Sequence, residues 1–235
     1  MSRLSEVKLR VEAVEFLRLL KEGRSYADLQ SMTGFSVTDL SRYVNGKVLP
    51  DLERAREIVE SSGENFLVEE IEKRIERDEG GYIDHSQVVF STKVLKRIPA
   101  VVAERFERAP DLVLTAAADG IPVAGKIADF YDVDCSYAKK EKETGVHSFL
   151  EASTILETGM TLTYYLPAGS ISPGEKVLMV DDLIRTGHTQ RTLGEIVRSA
   201  GADLCGVFAV FSFGEARQEL EDLLNCEVEV LVELD

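Results

Sequence analysis

The sequence predicts an α/β chain: a mainly parallel β-sheet with helices on both faces, preceded by an all-α domain. Three observations lead there. Beyond about residue 84, short apolar or β-rich runs alternate with helical stretches of roughly ten to fifteen residues, the pattern of strand-helix-strand crossovers. Before residue 77 the apolar residues recur at three- and four-residue intervals, the period of amphipathic helices. Between the two, residues 69–79 are densely charged and Gly80-Gly81 follows, which places a linker at roughly residues 76–84 and gives domains of residues 1–77 and 84–235. At 235 residues and 44% hydrophobic content, the chain has apolar material for one ordinary core and one small one.

The elements follow in order. Val7, Val11, Val14, Leu17 and Leu20 make one stripe on a helix that stops near Gly23. Ser25 opens a second helix with Asp28 at the capping-box position, and Gly34 closes it. A third is capped by Ser36, with Asp39 three residues on, and runs to about Val44, where Asn45-Gly46 turns the chain. Pro50-Asp51 opens a further helix through Ser61, so the first 77 residues read as helices alone. In the second domain, residues 112–116, 135–138, 161–166, 176–180, 204–211 and 227–232 are the expected strands. Ligands are expected at their C-terminal ends.

Composition narrows the function classes. Cys135, Cys205 and Cys226 stand far apart without CxxC spacing, which supports neither a disulfide framework nor a zinc site and fits a reducing cytosol. The opening residues are charged throughout, and the longest apolar stretch, residues 204–211, is too short to span a bilayer. No signal peptide, membrane helix or membrane partner is expected, and the localisation expected is cytoplasmic. A formal net charge of −15 argues against wholesale attraction to nucleic acid, yet the charge is uneven. Residues 1–77 hold 13 Lys and Arg against 15 Asp and Glu, residues 78–235 hold 14 against 27, and residues 1–56 alone hold 10 against 8. The net-positive stretch is N-terminal, although solvated faces on an acidic protein account for the charges equally well.

Residues 177–189, VLMVDDLIRTGHT, read as a buried strand, two acids and a glycine-containing turn that opens a helix. Such a helix start presents unpaired N–H groups and the positive end of a macrodipole, a setting for phosphate. Thr186 and Thr189 add hydroxyl donors, Gly187 lets the backbone approach, and His188 lies in the same loop as a further donor. Two adjacent carboxylates would repel a phosphate, so Asp181 and Asp182 make sense facing ribose hydroxyls or Mg²⁺. An ordinary strand before an N-capped helix is the alternative. The run resembles the 13-residue phosphoribosyl-diphosphate signature of type I phosphoribosyltransferases at nearly every position. That resemblance implies their fold for residues 84–235, with Asp181 and Asp182 on the ribose 2- and 3-hydroxyls and Arg185, Thr186, Gly187, His188 and Thr189 around the 5-phosphate.

Two more segments carry the resemblance. Residues 116–124, AAADGIPVA, resemble the pyrophosphate loop and Gly-Ile-Pro helix start of orotate phosphoribosyltransferases, which sets Ala118, Asp119 and Gly120 toward a diphosphate. Residues 137–148 resemble the lysine-bearing strand end and hood of xanthine and orotate phosphoribosyltransferases, with Lys139, Lys140 and Lys142 suited to a leaving pyrophosphate and a solvated lysine cluster as the alternative. No cofactor is expected to be held permanently; Mg²⁺ would accompany the phosphoribosyl ligand through Asp181 and Asp182. Two departures bear on catalysis. Asp119 puts an anion in the presumed pyrophosphate loop, unwelcome unless Mg²⁺ or a lysine intervenes. Arg185 stands where hypoxanthine-guanine enzymes carry an acidic base, and a guanidinium cannot accept a proton. Orotate enzymes lack that acid too, so one substrate class is excluded rather than all turnover, and no catalytic residue is singled out.

In the first domain, residues 25–50 place two short helices around a Gly-Phe-Ser turn, with Leu29 and Leu40 spaced for a shared core, which is helix-turn-helix spacing. Residues 34–47, GFSVTDLSRYVNGK, resemble the second half of a Cro/repressor-type domain. The resemblance implies a helix beginning at Ser36 in the major groove, with Thr38, Asp39, Ser41 and Arg42 nearest base edges and Ser25, Tyr26, Asn45 and Lys47 toward phosphates. Arg42 is the expected guanine reader, Tyr43 the expected core residue. A small helical bundle for dimerisation or lid duty is the alternative. Over its full length the sequence resembles the archaeal orotate-phosphoribosyltransferase-like regulators, and its second domain resembles the purine repressor of Gram-positive bacteria. A regulator of this kind would bind double-stranded operator DNA as a homodimer or higher oligomer, control metabolic genes of nucleotide or central sugar metabolism, and sense phosphoribosyl diphosphate or a related phosphorylated metabolite. The alternative is an active, Mg²⁺-dependent purine or pyrimidine phosphoribosyltransferase of orotate or xanthine type.

Overall fold

In the computed structural model, which describes residues 3–61, 64–79 and 82–234, the chain forms two units that meet in sequence between Lys73 and Arg74. The first holds α1 (Arg3–Lys21), α2 (Tyr26–Thr33), α3 (Val37–Val44), α4 (Leu52–Ser61) and α5 (Glu64–Glu72). Local hydrogen bonds set their starts. Ser25 Oγ accepts from Asp28 N at 3.2 Å while Ser25 N donates to Asp28 Oδ2 at 2.7 Å, a complete capping box, and Gly34 at φ +73° stops α2. Ser36 caps α3 through Asp39 N, and the Asp51 carboxylate accepts from Arg54 N at the start of α4. Leu17, Leu20, Leu29, Leu40, Tyr43 and Ile58 form the core. The expected α1 stripe is buried only from Val14 onward; Val7 and Val11 are 42% and 40% exposed. The three-and-four spacing puts residues on one face but does not say how far a partner helix covers that face.

The second unit opens with a ribbon, β1 (Glu76–Arg77) antiparallel to β2 (Ile83–Asp84). The expected linker is thus partly strand, the all-helical reading fails at Glu76–Arg77, and Gly80-Gly81 lies outside the described residues. Short helices α6 (Ser86–Val89), α7 (Thr92–Leu95) and α8 (Ile98–Arg105) lead into a five-stranded parallel sheet of order β4-β3-β7-β8-β9, made of β3 (Leu112–Ala116), β4 (Asp134–Ala138), β7 (Lys176–Ile184), β8 (Asp203–Phe213) and β9 (Val228–Leu234). Helices α9 (Ile121–Tyr131), α10 (His188–Ser199) and α11 (Ala216–Leu224) connect these strands. Residues 161–166 are not in this sheet. They belong to β6 (Thr161–Pro167), which pairs antiparallel with an unexpected strand, β5 (Phe149–Ile155), and touches the sheet through a bridge between Lys139 and Tyr165.

This topology positions a site. From β3 the chain crosses by α9 to β4 on one side, and from β7 by α10 to β8 on the other. Right-handed crossovers then put α9 and α10 on opposite faces, a switch point whose crevice opens at the carboxyl ends of β3 and β7. Leu112, Leu114, Val177 and Met179 pack with Leu193 and Ile196 of α10. The β3–β7 ladder ends at Leu114 and Met179, whereas β7 continues beside β8 to Ile184, so the loops that follow β3 and β7 flank the crevice.

Candidate ligand-binding site at the carboxyl edge of the sheet

The crevice has a volume of about 320 Å³. One wall is the loop after β3, Ala116 to Asp119, whose Ala117–Ala118 peptide is cis. Gly120 closes that loop against β7: a Cβ there would stand 2.9 Å from Asp181 Oδ1 and closer still to Thr115 Oγ1. The opposite wall carries Asp181 and Asp182, which lie inside β7 rather than after it.

The two carboxyls have different surroundings. Gln190 Nε2 donates to Asp181 Oδ2 at 2.5 Å, and Asp182 N to Asp181 Oδ1 at 3.0 Å. Burial first, then the neighbouring Asp182, hold the Asp181 carboxyl well above the usual carboxylate range. Burial would also raise Asp182, but the hydrogen bond with His85 Nε2 at 2.6 Å, a second one with Asp181 and the charge of His85 outweigh it, so Asp182 lies below its ordinary value. The Asp182 hydrogen bond is correspondingly the main influence raising His85; burial opposes it, and the charges of Asp182 and Asp119 add to it. Asp181 is thereby pushed toward a neutral hydrogen-bond donor and Asp182 toward a carboxylate acceptor, a pair able to grip adjacent hydroxyls.

At the far end, Gly187 has φ +71°, and a Cβ on it would meet Leu220 at 2.9 Å. Glycine is needed here for a left-handed turn and for packing on α11, a different reason from close approach to a ligand. No side chain caps α10, which leaves the N–H groups of its first turn for an anion. Thr189 Oγ1 lies 3.3 Å from Tyr164 OH at the crevice wall. Arg185 and Thr186 are exposed, and the Arg185 guanidinium lies 5.4 Å from the centre of the Phe213 ring. Phe211 is core. His188 is not among the residues that line the crevice, and its Nδ1 is buried without a hydrogen-bond partner.

The lysines separate. Lys140 lines the same crevice as Asp119, so a cation and that acid share its wall. Lys139 instead binds Glu143 at 2.7 Å and lines a different hollow, and Lys142 binds Glu151 at 2.7 Å over the Tyr165 ring. Successive residues at a strand end point to opposite sides, so Lys139 and Lys140 cannot serve one pocket.

Among the described residues, no group of three or more His, Cys, Asp or Glu side chains could hold a metal. Two carboxylates, one of them tied to Gln190, suit a Mg²⁺ ion that keeps waters and shares a ligand's phosphates, not a resident ion. The thiols are free; burial pushes Cys205 up to about 11 and Cys226 up to about 12. No described helix is long and apolar enough to cross a membrane.

Sequence reasoning missed two crevice residues, His85 and Tyr164, and Gln190, which holds Asp181 from α10. His85 is 97 positions from Asp182, and Tyr164 stands on the side ribbon, so neither carried a local signal. Gln190, a buried amide in the first turn of α10, was findable as a polar residue on an otherwise apolar helix face.

In the first unit, Ser25 and Ser36 are helix caps, and Asp39 is bound by Ser36 Oγ at 3.0 Å and Arg54 Nη1 at 3.3 Å. Asn45 Nδ2 donates to Ser41 O at 2.7 Å and lies 3.3 Å from Tyr26 OH. These polar groups hold the turn in shape. Thr38, Arg42 and Lys47 are exposed, and Tyr43 is core with its OH accepting from Arg54.

Residues 91–232 match the family model described as "Phosphoribosyl transferase domain". Among curated proteins, the chain is 27% identical over 171 residues to a hypoxanthine/guanine phosphoribosyltransferase of Methanothermococcus okinawensis, covering 68% of this chain and 88% of that one. It is 26% identical over 170 residues to a probable purine biosynthesis transcriptional regulator, PurR, of Streptococcus pneumoniae, covering 69% of this chain and 61% of that one. Among solved structures, adenine phosphoribosyltransferase of Thermoanaerobacter pseudethanolicus superposes with a TM-score of 0.63 at 21% identity, over 71% of this chain and 99% of that one. That likeness is one of fold.

Proposed function

The chain belongs to the phosphoribosyl transferase domain family through residues 91–232, and from that premise we propose that it is a DNA-binding transcriptional regulator of metabolic genes whose family domain senses phosphoribosyl diphosphate or a related phosphorylated metabolite. The observation that carries this reading is in the first unit. There α2 and α3 are joined by the turn Gly34-Phe35-Ser36, share Leu29 and Leu40 in one core, and leave Thr38 and Arg42 exposed on α3. Two short helices held at such a turn, with outward polar side chains on the second, have the form of a major-groove reader. A base-transferring enzyme has no use for it. Support also comes from the regulator among the relatives and from Arg185, which cannot act as a proton acceptor beside the ligand.

On this reading Arg42 contacts a guanine edge, Thr38 and Ser41 neighbouring base edges, and Lys47 a phosphate, while Asp39 positions α3 through Ser36 and Arg54. Two copies bind a two-fold operator, since one small reader seldom binds tightly alone. Asp181 and Asp182 take the ribose hydroxyls, the α10 start takes the 5-phosphate, and Mg²⁺ enters with the ligand's diphosphate.

Genome-wide footprinting tests the regulator role. Discrete enriched sites are expected, lost with Arg42→Ala while ribose 5-phosphate binding is kept; a footprint without enrichment overturns it. The second reading, a working phosphoribosyltransferase, is favoured by the enzymes among the relatives and by the crevice itself. Radiolabelled phosphoribosyl diphosphate with orotate, xanthine, hypoxanthine or uracil decides it: nucleotide above background with any base makes the enzyme reading primary.

A further inference from the structure

Asp182, the acceptor assigned above to a ribose hydroxyl, already has a partner. His85 Nε2 stands 2.6 Å from its Oδ2. The imidazole is held edge-on to Phe211, ring centres 5.5 Å apart, where the crevice adjoins a second hollow of about 310 Å³ walled by Ile83, Val89 and Phe90. Both hollows reach His85 and Asp119. A diol seated on Asp182 from the crevice meets an oxygen, Oδ2, that the imidazole already holds, while each Asp181 oxygen already accepts one bond, from Gln190 Nε2 or Asp182 N, so displacing the imidazole frees the less committed acceptor of the pair.

We propose that His85 is an intramolecular occupant of the sugar-hydroxyl site, displaced when the ligand binds, and that its displacement reports occupancy to the segment joining the two units. The inference rests on the phosphoribosyl reading of the crevice. The segment is built to respond. His85 is at the N-terminal boundary of α6 and makes no side-chain cap bond there. The β1–β2 ribbon before it has two residue pairs, and Tyr82 and Phe90 on either side are 69% and 73% exposed. Val88 and Val89 of α6 and Ile83 of the ribbon are buried, so the displaced imidazole turns between two anchors and its release is felt at the ribbon through Ile83. Along the chain that ribbon leads directly back to Arg74, where the second unit begins. A two-state contact of this kind couples a ligand to a distant readout because the ligand and the imidazole compete for one acceptor.

The test uses the full chain labelled at histidine nitrogens, titrated with ribose 5-phosphate and, separately, with inorganic phosphate. Ribose 5-phosphate is expected to move the His85 side-chain resonance away from its hydrogen-bonded position and to speed amide exchange across residues 76–79 and 82–87; inorganic phosphate does neither. By calorimetry, His85→Ala should bind ribose 5-phosphate about tenfold tighter than the native protein, the release of one charge-assisted hydrogen bond. His85→Gln, whose amide can still donate to Asp182, should return toward native affinity. Binding that leaves the His85 resonance in place, or that weakens in His85→Ala, overturns the proposal alone. If ribose 5-phosphate binds no better than phosphate, the phosphoribosyl reading fails and this inference fails with it. The resonance is read on the native protein, so the outcome stands even if a variant does not fold.

Discussion

Replacing Gly120 by alanine isolates the packing that shapes the crevice. Gly120 has φ −71°, a conformation any residue adopts, so the substitution brings no backbone strain. The added methyl has nowhere to go: its carbon would lie 2.9 Å from Asp181 Oδ1, 3.4 Å from Asp181 Cα and nearer still to Thr115 Oγ1. Thr115 is fully buried and Asp181 is held by Gln190, so neither side chain can step aside without losing contacts or a hydrogen bond. Overpacking of this kind costs about 1–3 kcal/mol. Gly125, further along α9, is the internal comparison, because a Cβ there meets nothing within 4 Å. Alanine at that position should stabilise by about 0.5–1 kcal/mol, the handicap of glycine inside a helix. The two variants therefore bracket the native protein, with a spread of roughly 1.5–4 kcal/mol. Urea unfolding of the full chain, followed by circular dichroism and tyrosine fluorescence and fitted with separate midpoints for the two units, measures the difference. Gly120→Ala should also weaken ribose 5-phosphate binding by moving Asp181, and Gly125→Ala should not. A Gly120→Ala protein as stable as the native one would refute the close approach of Thr115, Gly120 and Asp181.

Two other expectations separate neighbouring residues. Lys140→Ala should weaken phosphoribosyl diphosphate binding by about tenfold or more, the worth of a charge-assisted hydrogen bond, whereas Lys139→Ala and Lys142→Ala, which release Glu143 and Glu151 instead, should change it little; equal losses in calorimetry would show that all three serve the crevice. Ser25→Ala removes the α2 cap and should lower the stability of the first unit by about 1 kcal/mol. Hydrogen bonds from the Ser25 side chain and backbone N–H hold the Asp28 carboxyl below its ordinary 3.8. That contribution is present above pH 3.8 and lost as pH falls through the lowered folded value, so the native unit should lose more stability than Ser25→Ala over that acid window. Parallel acid profiles would count against the cap.

Helix starts and stops were legible because a capping bond spans three residues: Ser25 with Asp28, Ser36 with Asp39 and the left-handed Gly34 are visible in any window of ten. The five sheet strands were legible from their apolar runs, and each was placed within a few residues of its observed span. β5 was not. Phe149–Ile155 mixes Phe, Leu and Ile with Glu, Ser and Thr, and its partly exposed pattern offers no apolar run. β6 was found but assigned to the sheet, because a strand's composition does not name its partner. Gly187 was singled out for close approach of the backbone; its left-handed turn was readable too, but its packing on Leu220, 33 positions away in sequence, was not.

By itself, the sequence determined the alternation of strands and helices, the acid pair before a glycine turn, the uncapped helix start and the capped helix pair of the first unit. Each is written in hydrogen bonds and periodicities that close within about ten residues. The tertiary structure alone decided which atoms those groups face. It split the two carboxyls, giving Asp181 to Gln190 and Asp182 to His85 from 97 positions away. It also put one lysine of the three in the crevice lining and left His188 out of it. These outcomes depend on where the loops after β3 and β7 diverge and on what packs behind them, and contacts between residues so distant in sequence leave no period to read.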